Sequence, residues 1–134
     1  MTDDRVTRLL EMLDDLDADL DETIDLADEI AASGDRDVLP RLETELARAV
    51  AERNAYAREL LGGVIAGLGG TATLPVLVRA SAVDLGDDQD GLAAEIVDLV
   101  QADPGAAERL LRPLTEDDDL SVANRADWAL RFVP

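Results

Sequence analysis

The second half of the chain alternates apolar helical stretches with short turns, and this rhythm constrains the fold more than any other feature. From Thr71 onward, stretches with apolar residues at helical spacing are separated by acidic or Gly/Pro-containing turns, at a period of roughly thirty residues. A unit of two short helices buries its apolar face only by packing on its neighbours. The sequence therefore predicts an all-α protein of stacked helical hairpins.

The composition agrees with close-packed helices in a single domain over residues 1–134. Apolar residues make up 47 % of the chain and are mostly Leu, Ala and Val, whereas Tyr56, Trp128 and Phe132 are its only aromatic residues. A β-sandwich core would contain more aromatic and β-branched side chains. The sequence has no Cys and no His. These two residues commonly serve as nucleophile, general base or metal ligand. We therefore expect a protein that is not an enzyme, with no cofactor and no metal site.

The chain is strongly and unevenly acidic. Its formal net charge is −19, and all twelve basic residues are arginine. Residues 1–35 carry −11, residues 36–80 carry +1 and residues 81–134 carry −9. We expect most of these charges to serve solubility. The balance argues against direct binding to nucleic acid or to an anionic membrane, and it favours a basic protein partner.

Residues 1–35 are predicted to form a long acidic helix or a helical hairpin. Apolar residues recur at a spacing close to a heptad, and Gly34 is a suitable helix end. Four aspartates within a few residues predict a bend between Asp17 and Asp21, because Asp lowers helix propensity. The seam is expected to face another helix, in the same chain or in a second copy; it comprises Val6, Leu9, Leu13, Leu16 and Leu20.

The segment that follows leaves one alternative open. Asn54 can cap a new helix after a turn at Glu52, or one long helix can continue to about Leu68. A turn is favoured because Arg53 interrupts the apolar seam.

The glycine-rich stretch 62–70 resembles a phosphate-binding loop only superficially. It has no lysine and lies inside an apolar helical stripe. It predicts close helix packing at Gly63 and Gly67 and a helix end at Gly69 or Gly70. Residues 60–78 carry no charge over a length that could span a membrane. Because glycines and a proline interrupt them, they predict two buried helices instead.

Residues 71–103 and 104–134 each contain a helix, a turn with acids and a second helix. The second unit contains Val122, then Arg125-Ala126, then Trp128-Ala129-Leu130. In these features the chain resembles the HEAT-repeat family. Residues 37–70, which end in GLGG, resemble a degenerate third unit, and residues 1–35 lie outside the resemblance as a cap or arm. The resemblance implies a short HEAT-like α-solenoid that binds proteins and has no family-wide active site.

Two acidic groups are the candidate partner-binding residues. On the predicted first helix, Asp14, Asp21, Asp25 and Asp28 share one face, with successive turns about 5.4 Å apart. This spacing approaches that of nucleic acid phosphates, although a solvated helix face is the simpler interpretation. The second group is the predicted acidic loop Glu116, Asp117, Asp118 and Asp119.

The acidic segment 86–91 looks superficially like a calcium loop. If Gly91 took the glycine position of such a loop, Gly86 and Val97 would be its first and last ligands. Neither residue can ligate through its side chain. We therefore interpret this segment as a solvated linker.

The predicted function is a non-catalytic protein–protein interaction module. In its most concrete form it is a small acidic inhibitor, immunity-type protein or adaptor in the cytoplasm that covers a basic partner. The chain start has no basic region followed by an apolar run, so it predicts no signal peptide. Two alternatives stay open: a scaffold subunit that self-associates through its N-terminal helix, as a homodimer for example, and an acidic protein that mimics nucleic acid.

Overall fold

The computed structural model describes residues 1–86 and 90–134, without the side chain of Asp90. Over these residues the regular elements are helices, which confirms the all-α prediction. Short 3-10 turns occupy Arg36–Val38, Gly70–Thr73 and Arg112–Glu116. The α-helices are α1 (Thr2–Asp14), α2 (Leu20–Ala32), α3 (Leu39–Ala51), α4 (Ala55–Gly69), α5 (Leu74–Ser81), α6 (Asp90–Ala102), α7 (Pro104–Leu111) and α8 (Leu120–Leu130).

The helices pack in consecutive pairs around α4. Each odd-numbered helix contacts the next one in sequence, and α4 also contacts α2, α5 and α6. The position of α4 follows from its composition, because it is apolar on most of its circumference and four of its fifteen residues are glycine. Its buried residues include Leu61, Val64, Ile65 and Leu68. A helix that is apolar on several faces is buried by neighbours on several sides.

The N-terminal region is a helical hairpin rather than one long helix. The chain leaves the helix at Asp15 and re-enters at Leu20, where the Asp19 carboxylate accepts hydrogen bonds from the backbone N–H groups of the first turn of α2. The predicted seam is correspondingly interrupted. Val6 and Leu9 are buried and Leu13 packs against the core, but Leu16 is 101 % and Leu20 58 % exposed. These two leucines therefore do not face another helix of this chain, because the helical register of α1 ends before them.

The favoured turn after α3 is confirmed. Arg53 adopts a positive φ of 58°, and the Asn54 side chain caps α4 by accepting a hydrogen bond from Ala57 N at 3.0 Å. At the other end of α4, Gly70 has a φ of 64° and terminates the helix, as predicted. Asn54 and Gly70 therefore fix both ends of the central helix through local backbone chemistry.

The glycines of α4 differ in what surrounds them. A Cβ on Gly67 would lie 2.9 Å from the Ala31 Cβ of α2, so close packing is confirmed there. A Cβ on Gly63 would meet nothing within 4 Å, so the prediction of close packing at that residue was wrong.

One segment of the described residues, Ala55–Ser81, is long and apolar enough to cross a membrane by length and hydropathy. In the most apolar stretch of eighteen residues within this segment, 61 % is buried inside the protein. The 3-10 turn Gly70–Thr73 also separates α4 from α5. Both features are those of core helices.

Arg58 is a buried charged residue that the sequence pattern did not single out. It is 1 % exposed, and its Nη1 donates to the carbonyl oxygens of Ala80 at 3.1 Å and Val83 at 2.6 Å. These bonds tie α4 to the end of α5.

A second arginine links α8 to α5. The guanidinium of Arg125 stacks 4.0 Å from the centre of the Trp128 ring and donates from Nε to Ser81 Oγ at 3.0 Å.

Candidate functional site: an acidic groove on the central helix

A groove of about 390 Å³ opens between α2, α4 and α6. Its floor is apolar and built mainly from small side chains, which leaves room above the helix backbones. The floor residues are Ala27 and Ala31 of α2 together with Leu60, Gly63 and Val64 of α4. Because α4 is central, three helices distant in sequence contribute to this one surface.

The glycines of α4 explain why the groove opens where it does. Close contact of Gly67 with Ala31 holds α2 against α4 near the carboxyl ends of both helices. Toward their amino ends, Gly63 has no side chain to fill the space between them. Ile24 and Tyr56 border this end and remain 41 % and 44 % exposed. The open end of the groove therefore presents apolar surface to solvent.

Three carboxylates from three helices surround this apolar floor: Asp28 of α2, Glu59 of α4 and Glu95 of α6. The Glu59 carboxylate lies where a Cβ on Gly91 would stand, so a side chain at residue 91 would require the Glu59 carboxylate to move. Within residues 1–86 and 90–134, none of the three carboxylates has a hydrogen-bond or ion-pair partner. A cation brought by a ligand would meet carboxylates that no arginine of the described chain neutralises.

The groove also changes the ionisation of two of its residues. Burial raises the pKa of Glu95 above its ordinary value, and the neighbouring Asp98 carboxylate raises it further. Burial raises the pKa of the Tyr56 phenol as well. A partly desolvated carboxylate gains more from an incoming cation than one fully in water. Glu95 is therefore the groove acid whose charge is most sensitive to what occupies the site.

The predicted row of four aspartates is divided by the hairpin. Asp21, Asp25 and Asp28 are exposed on α2, and Asp28 lines the groove. Asp14 instead ends α1, where its Oδ2 lies 3.8 Å from Arg48 Nη2. The prediction of one shared face was wrong for Asp14, because residues 15–19 break the helix between it and the others.

Two of the four acids at residues 116–119 already make hydrogen bonds or an ion pair within the chain. Asp117 Oδ1 accepts a hydrogen bond from Asp119 N at 2.9 Å, and its Oδ2 lies 2.8 Å from Arg79 Nη2. These two contacts lower the pKa of Asp117. Asp119 caps α8 by accepting from Ser121 N at 2.9 Å. Glu116 and Asp118 are the exposed acids of this segment that have no such contact among the described residues.

Sequence reasoning missed most of the groove. It identified Asp28, but not Glu59, Glu95 or Tyr56, because these residues share no periodic pattern with α2. The available signal was Gly63, an unneeded glycine in the middle of a helix, which was interpreted as a packing contact.

No group of three or more Asp, Glu, His or Cys side chains in the described residues is arranged to hold a metal ion. The segment compared with a calcium loop, residues 86–91, falls largely outside the described residues. Comparison with known proteins found no matching family model, no matching curated protein and no matching solved structure. Function must therefore be inferred from the residues and geometry of this chain.

Proposed function

We propose that this protein is a non-catalytic interaction module of HEAT-like stacked hairpins that binds a basic protein partner. The pairwise packing supports the stacking, because α2 contacts α4, α4 contacts α6 and α6 contacts α8. Those contacts join each helix pair to the next through its second helix. The N-terminal hairpin then serves as a first unit of the stack rather than as a separate arm.

The groove on α2, α4 and α6 is the proposed binding surface. The observation that carries this proposal is the coincidence of an apolar floor with three carboxylates that have no cationic partner among the described residues. The floor contributes affinity through burial of apolar area, and the carboxylates select positive charge. Asp21 and Asp25 extend the acidic surface along α2. At a net charge of −19, the long-range field also accelerates encounter with a basic partner and repels an acidic one.

An inhibitor, immunity-type protein or adaptor would all use such a surface. Each covers a basic region of its partner and requires no chemistry of its own. Cytoplasmic placement, absence of direct nucleic acid and membrane contacts, and absence of a cofactor belong to the same proposal.

The test is a binding measurement with the natural partner. The partner is recovered by affinity capture from the source cell and purified, and its association rate is measured at increasing salt concentration. Reversing Asp21, Asp25 and Asp28 to Lys is expected to slow association and to flatten its salt dependence. The matched control reverses three exposed acids elsewhere, Glu11, Asp37 and Asp127, and so changes the net charge equally.

The control separates local charge from overall charge. If both triple variants slow association to the same extent, α2 has no special part in binding. An acidic partner, or a partner whose binding is unchanged by salt, would remove charge from the explanation altogether. Circular dichroism of each variant first establishes that the helices are retained.

A second candidate function is self-association as a structural subunit. Its support is the full exposure of Leu16 and the partial exposure of Leu20 at the tip of the N-terminal hairpin. The rest of the seam is unavailable, because Val6 and Leu9 are buried in the chain itself. Light scattering decides between the functions: a dimer that dissociates when both leucines become Ser supports self-association, and a wild-type monomer at high concentration opposes it.

A further inference from the structure

We propose that the groove receives one arginine or lysine side chain carried by an amphipathic helix of the partner. This inference rests on the proposed function and specifies which feature of a basic partner the site recognises. The net charge of the protein and the exposed acids of α2 favour any positive protein, whereas the groove favours one particular way of presenting that charge.

The residues of the groove match the two parts of such a side chain. Its aliphatic stem would lie along the floor formed by Ala27, Gly63 and Val64, as long basic side chains commonly lie on apolar surface. Its charged head would lie among the carboxylates of Asp28, Glu59 and Glu95, which line the groove from three different helices. No described residue already supplies a cation to these carboxylates, so the position is open to one from a partner.

The volume of the groove decides how much of a partner enters it. About 390 Å³ is near the small end of ligand pockets, which span roughly 300–1,000 Å³. An α-helix, about 10 Å across with its side chains, is too wide to be enclosed there. The partner helix therefore lies across the opening and inserts a side chain.

The borders of the groove favour a helical partner over an extended one. Ile24 and Tyr56 line the groove and are partly exposed, and Leu20, one turn before Ile24 on α2 and outside the groove lining, is exposed as well. Exposed apolar side chains at this spacing can pack against apolar residues placed one turn apart on an amphipathic helix of the partner. A second copy of this chain is a poor occupant, because two molecules of net charge −19 repel each other.

The experiment uses a defined probe, a fluorescent leucine–lysine peptide of about eighteen residues that forms an amphipathic helix of five turns. The control peptide has the same composition and charge in an order that gives no apolar face. Fluorescence anisotropy measures the affinity of each peptide for the full chain. We expect the amphipathic peptide to bind more tightly than the control.

The protein variant that tests the groove is Gly63→Leu. It fills the groove without changing charge, and the space around Gly63 admits a side chain. We expect about tenfold weaker binding of the amphipathic peptide, the loss typical of a blocked central contact. Gly105→Leu is the matched control: residue 105 is an exposed helical glycine in α7, outside the groove. It is expected to bind like the wild type.

Two results would overturn the inference: equal binding of both peptides, or unchanged binding by Gly63→Leu. The proposed function would be contradicted by a different result. A purified partner that binds in a salt-dependent way but ignores Gly63→Leu contradicts only the groove inference, whereas an acidic partner contradicts both.

Discussion

Two glycines in the same helix should respond in opposite directions to the same substitution. Gly63 and Gly67 both lie in α4, one helical turn apart. Replacing either by Ala gains about 1 kcal/mol of helix propensity, because the unfolded chain loses conformational freedom. At Gly63 nothing lies within 4 Å of the new Cβ, so the full gain should appear as stability.

At Gly67 the new methyl group meets the Ala31 Cβ at 2.9 Å. Carbon atoms pack best at about 3.5–4.0 Å, so α2 and α4 must separate by a few tenths of an ångström or more. Overpacking of this kind costs about 1–3 kcal/mol. Subtracting the propensity gain leaves Gly67→Ala about 0–2 kcal/mol less stable than the wild type.

Urea unfolding followed by circular dichroism measures both free energies. The two variants should differ by about 1–3 kcal/mol, with Gly63→Ala the more stable. The pair controls for helix propensity, since both substitutions are Gly→Ala in one helix. If Gly67→Ala were as stable as Gly63→Ala, α2 would not lie against α4 at Ala31, and the geometry that opens the groove would be wrong.

Two further predictions concern single side chains. Trp128 is partly buried against the core and makes an edge-on contact with Phe132 at 5.2 Å and the Arg125 stack. Trp128→Ala should therefore cost about 2–3 kcal/mol in urea unfolding, less than the ~3–5 kcal/mol of a fully buried Trp; a loss within error would mean that the ring makes no stabilising contact. Glu95→Gln should raise the melting temperature at neutral pH, because the pKa of Glu95 is raised in the folded state. A raised carboxyl pKa favours folding at pH values below the unfolded pKa and loses that contribution as pH rises through the folded pKa, so the difference between Gln and Glu should vanish below about pH 4. Glu116→Gln, at an exposed site, controls for the loss of one charge, and an equal effect of both substitutions would contradict the burial of Glu95.

The helices of this protein were largely predictable because its apolar residues follow a period that only helices satisfy. The turn at Arg53 and the end of α4 at Gly70 were predictable for local reasons, since Asn caps helices and Gly tolerates a positive φ. The break before Leu20 was underestimated. There the apolar spacing continues through a segment whose aspartates instead form a cap.

The groove was less predictable, because it depends on which helices become neighbours. Asp28, Glu59 and Glu95 lie far apart in sequence, and no periodic pattern connects them. The aspartates of residues 117 and 119 illustrate the converse error. They look like free surface charges in sequence, yet one pairs with Arg79 and the other caps α8.

The central claim is that a basic partner binds across α2, α4 and α6, and amide hydrogen exchange of the complex with the purified partner tests it most directly. Exchange should slow on binding in residues 20–32, in the first half of α4 and at the start of α6, while α3 and α7 exchange as in the free protein. Protection confined to α3, α5 or α7 would contradict the claim and place the partner on another surface.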